Sequence, residues 1–333
     1  MDHRKVTILF VLFCIIVPLI RNPSQTIKLT GMGECLYYAL RFSDMGFIDQ
    51  STLKQWTFVE YINYTLTFQK PKLTNDTDPP KRIVDEHRVP YKNQDVSHYL
   101  KVILKTIVKF LIFFGIVKHL RKSKPNWNPK PFEMTSWNSF ENARDVYLLG
   151  LALEMFVDAW STFLCHLASI AFCIPYLPLM NRPYLATSVR QFWSKKWNLL
   201  IHHSLRQSIF LPTLRVFGYA KPSSKEKVPL WCLMFGSLMT FAFSGLMHEW
   251  LIFVIFDTPS CGEQQVFFTL QGILCIMEVV VDNFILTYFK INLSDSIPKP
   301  FQILYTTIII TLTGPLFMNP YIREGIYFKT GMA

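Results

Sequence analysis

The sequence predicts an all-α fold, a polytopic helical bundle embedded in a membrane with about six to eight membrane segments. Three observations predict it. Half of the 333 residues are hydrophobic and only 17% are charged, whereas roughly 25% is usual for a soluble domain. The apolar residues fall in runs long enough to cross a bilayer. The ionisable residues gather between those runs and leave a formal net charge of +11. Such a basic excess orients a membrane chain, binds anionic lipid headgroups or receives an anionic substrate. No nucleic-acid-binding motif accompanies it, so membrane lipids are expected partners and nucleic acid is not.

The first apolar run, Val6–Ile20, follows His3, Arg4 and Lys5. A basic start and a short apolar core suit a signal peptide, but no small-residue cleavage site follows. Residues 1–21 are therefore expected to be an uncleaved membrane anchor. Residues 22–99 form a polar segment with a Pro-rich stretch from Asn75 to Lys81. Two sequons there, Asn63-Tyr64-Thr65 and Asn75-Asp76-Thr77, suit a lumenal position.

Residues 100–139 are expected to hold a membrane segment and a cytosolic linker. Leu100–Leu120 carries Lys101, Lys105 and Lys109 on one helical face. It is either a span whose lysines snorkel or an interfacial amphipathic helix. The basic, Pro-rich loop His119–Lys130 follows.

Residues 140–333 form the last expected unit. Val146–Met180 is too long for one straight span and should fold as two short crossings, or as one span and a re-entrant piece. Within it Glu154, Asp158, Thr162 and His166 recur at i+4. Ionisable groups facing lipid are costly, so this stripe should face protein or a polar cavity. It is either a wall of an active chamber or a set of interhelical bonds. Leu230–Phe256, Val266–Phe289 and Phe301–Met318 are three further spans. No internal repeat is evident.

Charge suggests an orientation. Arg190, Lys195, Lys196, Arg206, Arg215, Lys221, Lys225 and Lys227 put the interval 190–227 on the cytosolic side, together with His119–Lys130. Asp257–Glu263 is then lumenal, and the sequon at Asn292 cytosolic. The seven cysteines include no CxxC pair, which disfavours a zinc ribbon or thiol–disulfide motif. Cys35 and Cys261 lie in polar stretches, but a disulfide between them is not favoured.

Two segments could carry chemistry. Ser188–Asn198 mixes the rings of Phe192, Trp193 and Trp197 with the cations Arg190, Lys195 and Lys196 and the amide of Asn198. Composition favours an interfacial belt, and the alternative is a phosphate site with a neutral hydrogen-bonding group. The second segment, Phe243–Trp250, places His248 inside an apolar run. An intramembrane histidine is a functional candidate by default, although many are structural. Burial disfavours its charged form, leaving a neutral ring able to accept a proton. Ser244, one turn earlier, could fix its tautomer, and Gly245 permits close approach of another helix. Residue 252 is Ile, so His248-Glu249 is not the start of an HExxH zinc site. His202-His203 lacks the Asp of an HHxxxD motif, since residue 207 is Gln. No GxSxG elbow and no phosphate-binding glycine loop occur.

Taken together, the two segments resemble the membrane-bound O-acyltransferase superfamily, and within it the wax synthase-like branch. The resemblance runs from Asn181-Arg182-Pro183 through Thr187–Trp193, Trp197-Asn198 and Leu205-Arg206. It resumes at Ser244-Gly245-Leu246-Met247-His248-Glu249 and again from Gly314 to Gly325. It covers roughly residues 140–330. It implies an endoplasmic-reticulum acyltransferase of the long-chain-alcohol O-fatty-acyltransferase type, which transfers groups other than aminoacyl groups. The implied partners are acyl-CoA, as co-substrate, and a lipophilic alcohol, with no metal or resident cofactor. Association into a homo-oligomer is left open. His248 corresponds to the family's catalytic histidine and Asn198 to its companion. Arg190, Phe192, Trp193, Lys195, Lys196, Trp197, Arg206, Ser244 and Glu249 are the expected substrate-binding residues. A sterol, a diacylglycerol or a secondary metabolite would serve as acceptor equally well. A transporter built on the Glu154 stripe and an inactive scaffold are the readings outside that class.

Overall fold

The computed structural model describes residues 96–172, 179–219, 228–258 and 261–325. The expected anchor, the polar segment 22–99 with its two sequons, and Cys35 lie outside them. Among the described residues the chain is helical, without strands. Its helices are α1 (Val96–Ser123), α2 (Phe140–Phe172), α3 (Val189–Gln191), α4 (Leu199–Leu205), α5 (Leu211–Val216), α6 (Leu230–Phe256), α7 (Glu263–Phe289), α8 (Leu293–Ser296) and α9 (Lys299–Arg323). Two five-residue π-turns, Phe192–Lys196 and Arg206–Phe210, extend α3 and join α4 to α5. Among the described residues four helices are long and apolar enough to cross a membrane: Phe140–Phe163 of α2, and α6, α7 and α9.

The Val146–Met180 run does not divide into two crossings as far as Phe172. It is one continuous helix to that point. The physical reason is local, since the run has no proline before Pro175 and Gly150 alone does not stop a helix in an apolar setting.

Helix α1 runs antiparallel along α2. Phe113 and Val117 pack on Ala152 and Met155, and Leu120 packs on Leu149. Lys109, midway along α1, lies 3.3 Å from Glu154 and forms an ion pair with Asp158. The acidic part of the α2 stripe therefore meets a lysine from a neighbouring helix, as the interhelical reading expects. The side chain of His166 is outside the description. Leu100, Ile103, Leu104, Ile107 and Leu111 remain exposed on α1.

Helices α6 and α7 form the tightest pair. A Cβ on Gly245 would lie 2.9 Å from the Gln265 Cα, and one on Gly272 would lie 3.0 Å from the Phe241 Cβ. Helix α9 carries Pro315 and Pro320 within its length. Pro320 has no N–H to donate to the carbonyl of Leu316, one turn earlier. The buried Gln264 Nε2 serves that region instead, donating to the carbonyls of Leu316 (3.4 Å) and Phe317 (2.8 Å). Ser136 Oγ and Trp137 Nε1 donate to the Leu312 carbonyl at 3.1 and 3.0 Å.

These contacts correct the orientation read from charge. The Phe132 N–H donates to Glu263 Oε1 at 2.8 Å, and Glu263 also forms an ion pair with Arg323. Asn319 Nδ2 donates to the Glu133 carbonyl at 2.7 Å. Glu263 begins α7 and Arg323 ends α9, so the linker after α1 lies on the same face as Asp257–Glu263. The charge reading placed those two loops on opposite sides. Helix α2 runs alongside α9 in the same direction, with Val146 beside Gly314 and Gly150 beside Met318, so it leads away from the Arg190 end. The guanidinium of Arg190 lies 3.5 Å from Asp282, near the other end of α7. Basic residues thus occur at both faces, and the charge rule alone does not choose between them. Asn292 caps α8 and accepts the Ser294 N–H at 3.2 Å, between α7 and α9 on the Arg190 face. Cys261 is an exposed free thiol.

This arrangement predicts that, in sealed vesicles, a membrane-impermeant maleimide labels Cys261 and a Lys130→Cys variant from the same side. Asn292→Cys should be labelled only from the other side, each tested in a background stripped of other cysteines. The charge-based arrangement predicts that Cys261 and Lys130→Cys differ.

Candidate active site

His248 sits on α6 about two turns, ~12 Å, before the helix ends at Phe256. Its ring stacks on Phe268 of α7, with centroids 4.6 Å apart and planes at 20°. The edge-on ring of Phe317, from α9, lies 5.3 Å away. The phenol oxygen of Tyr321, also from α9, is 3.5 Å from His248 Nδ1. Three helices therefore hold the imidazole.

The residues around His248 on α6 have different tasks. Gly245 and Glu249, one turn apart, face the first turn of α7. Glu249 Oε1 accepts the Gln265 N–H at 2.9 Å, one of the amides at a helix start that has no partner within its own helix. Glu249, expected to bind substrate, thus has one oxygen committed to capping α7. Ser244 is buried on the same helix. The hydroxyl beside His248 Nδ1 belongs to Tyr321.

The Ser188–Asn198 segment enters from the opposite face. Ser188 Oγ accepts the Gln191 N–H at 2.9 Å. Glu278 of α7 accepts the N–H groups of Val189 (2.8 Å) and Arg190 (2.9 Å), so α3 is capped from within its own sequence and by its neighbour. The chain then descends. Trp193 Nε1 donates to Gln271 at 3.1 Å, and Gln271 donates to Thr313 of α9 at 2.8 Å. The Trp193 ring meets Phe268 at 5.6 Å and Trp197 at 6.4 Å. Phe192 stacks on Trp197 at 5.5 Å. Lys195 is exposed, and the backbone carbonyls of Lys195 and Lys196 accept from Asn181 at 3.4 and 2.8 Å.

Asn198 lies at the turn. Its backbone is left-handed, with φ 39°, a conformation asparagine tolerates better than most residues. Its Oδ1 accepts the Ile201 N–H at 3.2 Å and caps α4. Ile201 and Leu205 pack with Phe243 and Met247 of α6. The chain then climbs back along α6, where Phe210 would lie 3.1 Å from a Cβ on Gly236. Partly buried Arg206 opens the second π-turn on this ascent. Phe217 finally meets Trp231 near the start of α6 at 5.2 Å.

Residues 188–217 therefore form a re-entrant hairpin. It starts at the level of Glu278 and Asp282, reaches the level of Phe268 and Met247, and returns. Asn198 is near its tip, three residues before Ile201, which packs against the Leu205–Met247 cluster. π-Turns of this kind recur at functional sites.

This part of the chain has counterparts among known proteins. Residues 176–270 match the membrane bound O-acyl transferase family. The segment is similar to that family. A relative named probable long-chain-alcohol O-fatty-acyltransferase 3, from Arabidopsis thaliana, is 28% identical over 71% of this chain and 62% of its own length. The long-chain-alcohol O-fatty-acyltransferase of Simmondsia chinensis is 27% identical over 69% of this chain and 58% of its own. An Arabidopsis thaliana protein named acyl-CoA–sterol O-acyltransferase 1 is 28% identical over 46% of this chain and 41% of its own. The chain thus spans less than two thirds of each of these relatives. The matched segment covers the whole hairpin, all of α6 and the first turns of α7 through Leu270.

Sequence reading missed Phe268, Gln271, Thr313, Phe317 and Tyr321, which immobilise His248 and Trp193. Phe317 and Tyr321 lie within the C-terminal stretch that resembles the superfamily, which was the available signal. Gln271 and Thr313 gave none, because a buried amide and hydroxyl in apolar helices look alike whether or not they bond.

Two substitutions test this framework. Gly245→Ala forces α6 away from the backbone of α7 and should cost about 1–3 kcal/mol, seen as a lower Tm in detergent. Trp193→Phe keeps a ring but leaves the buried Gln271 Oε1 without its indole donor, and should cost ~1–3 kcal/mol by the same measurement.

Proposed function

We propose that this protein is an acyl-CoA-dependent O-acyltransferase that esterifies a lipophilic alcohol, in the manner of a wax ester synthase. The observation that carries the proposal is the hairpin tip: Asn198 caps α4, whose Ile201 packs against the Leu205–Met247 cluster next to His248 in an apolar bundle. The names of the matched relatives supply the reaction class.

The chemistry follows from the groups present. A thioester is already activated, so no enzyme nucleophile is required. His248 acts as general base toward the alcohol hydroxyl. Asn198 Oδ1 is engaged in capping α4, which assigns the work of donation to Nδ2. That donor orients the acceptor or stabilises the developing oxyanion. The rings of Trp193, Phe268 and Phe317 exclude water that would otherwise hydrolyse the thioester. Phe192 and Trp197 extend the same apolar wall. Arg190 is paired with Asp282, so Lys195, Lys196 and Arg206 are the better candidates for the CoA phosphates. In this reading the Arg190 face is cytosolic and the membrane is that of the endoplasmic reticulum. The whole chain crosses about six to eight times, with α1 and the Val6–Ile20 run among the segments.

A sterol acceptor is the second reading, because one matched relative is named for a sterol substrate. Lipid profiling in yeast lacking neutral-lipid acyltransferases, fed long-chain alcohols and sterols, separates the two.

With labelled acyl-CoA, His248→Ala is expected to reduce ester formation about 10²–10⁴-fold, the range for loss of a general base. Asn198→Asp keeps the helix cap but replaces the NH₂ donor with an anionic oxygen. It should retain the wild-type Tm and lose about 10²-fold or more in kcat. Undiminished ester synthesis by His248→Ala would defeat the proposal.

A further inference from the structure

We infer that Tyr321 is a positioning residue for His248: its phenol oxygen accepts the Nδ1 hydrogen and holds the neutral ring in the tautomer whose Nε2 bears the lone pair. The inference rests on the acyltransferase reading and deepens it.

Geometry carries the assignment. The Tyr321 oxygen and His248 Nδ1 are 3.5 Å apart. Neither ring can drift readily. The imidazole is stacked on Phe268 and bounded by Phe317. The Tyr321 ring lies against Phe317 at 5.5 Å and Phe256 at 6.2 Å. The helix end bearing Tyr321 is tied down by the ion pair of Arg323 with the fully buried Glu263. With Nδ1 turned to the phenol, Nε2 is the remaining ring nitrogen. If the phenol instead donated to Nδ1, the ring hydrogen would sit on Nε2 and no base would be available there.

The choice of a phenol suits the surroundings. A carboxylate beside the ring would place a charge in an apolar bundle at considerable cost. A phenol stays neutral at ordinary pH and still accepts a hydrogen bond that strengthens as imidazolium forms. In the reaction, the alcohol oxygen forms its bond to the thioester carbonyl carbon as its proton passes to Nε2. Collapse of the adduct breaks the carbon–sulfur bond, and the proton passes from Nε2 to the leaving thiolate. Nδ1 keeps its hydrogen throughout, and Tyr321 exchanges none. Ser244, on the same helix as His248, was the residue that sequence proposed for this task.

The test uses the full-length protein in nanodiscs with labelled acyl-CoA and a long-chain alcohol. Tyr321→Phe preserves the ring contacts and removes only the oxygen. Its kcat should fall about tenfold to a hundredfold, the worth of a hydrogen bond to a charged group, with KM for both substrates unchanged. Independently of turnover, ¹⁵N-histidine NMR of the wild-type protein, with the His248 signal identified by its loss in His248→Gln, should report hydrogen on Nδ1 and a bare Nε2. Wild-type kcat in Tyr321→Phe, or hydrogen on Nε2 in the wild-type ring, overturns the inference. Full ester synthesis by His248→Ala, or none by the wild type, defeats the acyltransferase reading instead. The NMR result then still decides the role of Tyr321.

Discussion

The close approach of α6 and α7 is the constraint on which the site depends. It is set where Gly245 leaves room for the backbone of Gln265 and Glu249 accepts the Gln265 N–H. Any side chain at Gly245 would force the helices apart, and without Glu249 the first turn of α7 would keep a buried unsatisfied amide. This junction fixes the relative height of the two helices. That height puts Phe268 flat against His248 and leaves the ring facing Phe317 and Tyr321. Between neighbouring apolar helices in lipid there is little hydrophobic drive to associate. Close packing and satisfied polar groups must do that work, and both occur at the same turn of α6.

The re-entrant hairpin faces a harder problem. Irregular backbone is tolerated at membrane depth only where its polar groups find partners in protein. Here they do. Ser188 and Glu278 take the amides at the start of α3, Asn181 serves the carbonyls of Lys195 and Lys196, and Asn198 caps α4. The indole of Trp193 completes a bridge through Gln271 to Thr313, joining hairpin, α7 and α9. Most of the polar residues in the hairpin motif therefore have structural duties. Only a few remain to address substrate.

Helix α9 closes the arrangement. Pro320 leaves the Leu316 carbonyl without its helical donor, and Gln264 donates there, while Ser136 and Trp137 donate to the Leu312 carbonyl. The same region carries Phe317 and Tyr321 to the imidazole and Arg323 to Glu263. The linker after α1 is held there too, through Phe132 and Glu133. A strained helix, a buried ion pair and a loop thus meet within two turns of the candidate base.

Much of this was legible in the sequence. Apolar run lengths fixed the helical class and located α6, α7 and α9, because a span must supply its own backbone partners whatever its neighbours do. His248 stood out, as a polar group in an apolar run is costly unless it is used, and Asn198 did so through the family resemblance of its segment. The rest required tertiary structure. Which loops share a face was decided by the contacts of Phe132 with Glu263 and of Glu133 with Asn319, and charge could not settle that with basic residues at both ends. Nothing in the sequence paired the α2 acids with Lys109. Nor did it assign one Glu249 oxygen to the start of α7. Sequence determines which groups must be satisfied; only the packing of distant helices decides which partner satisfies them, and so which groups are left for chemistry.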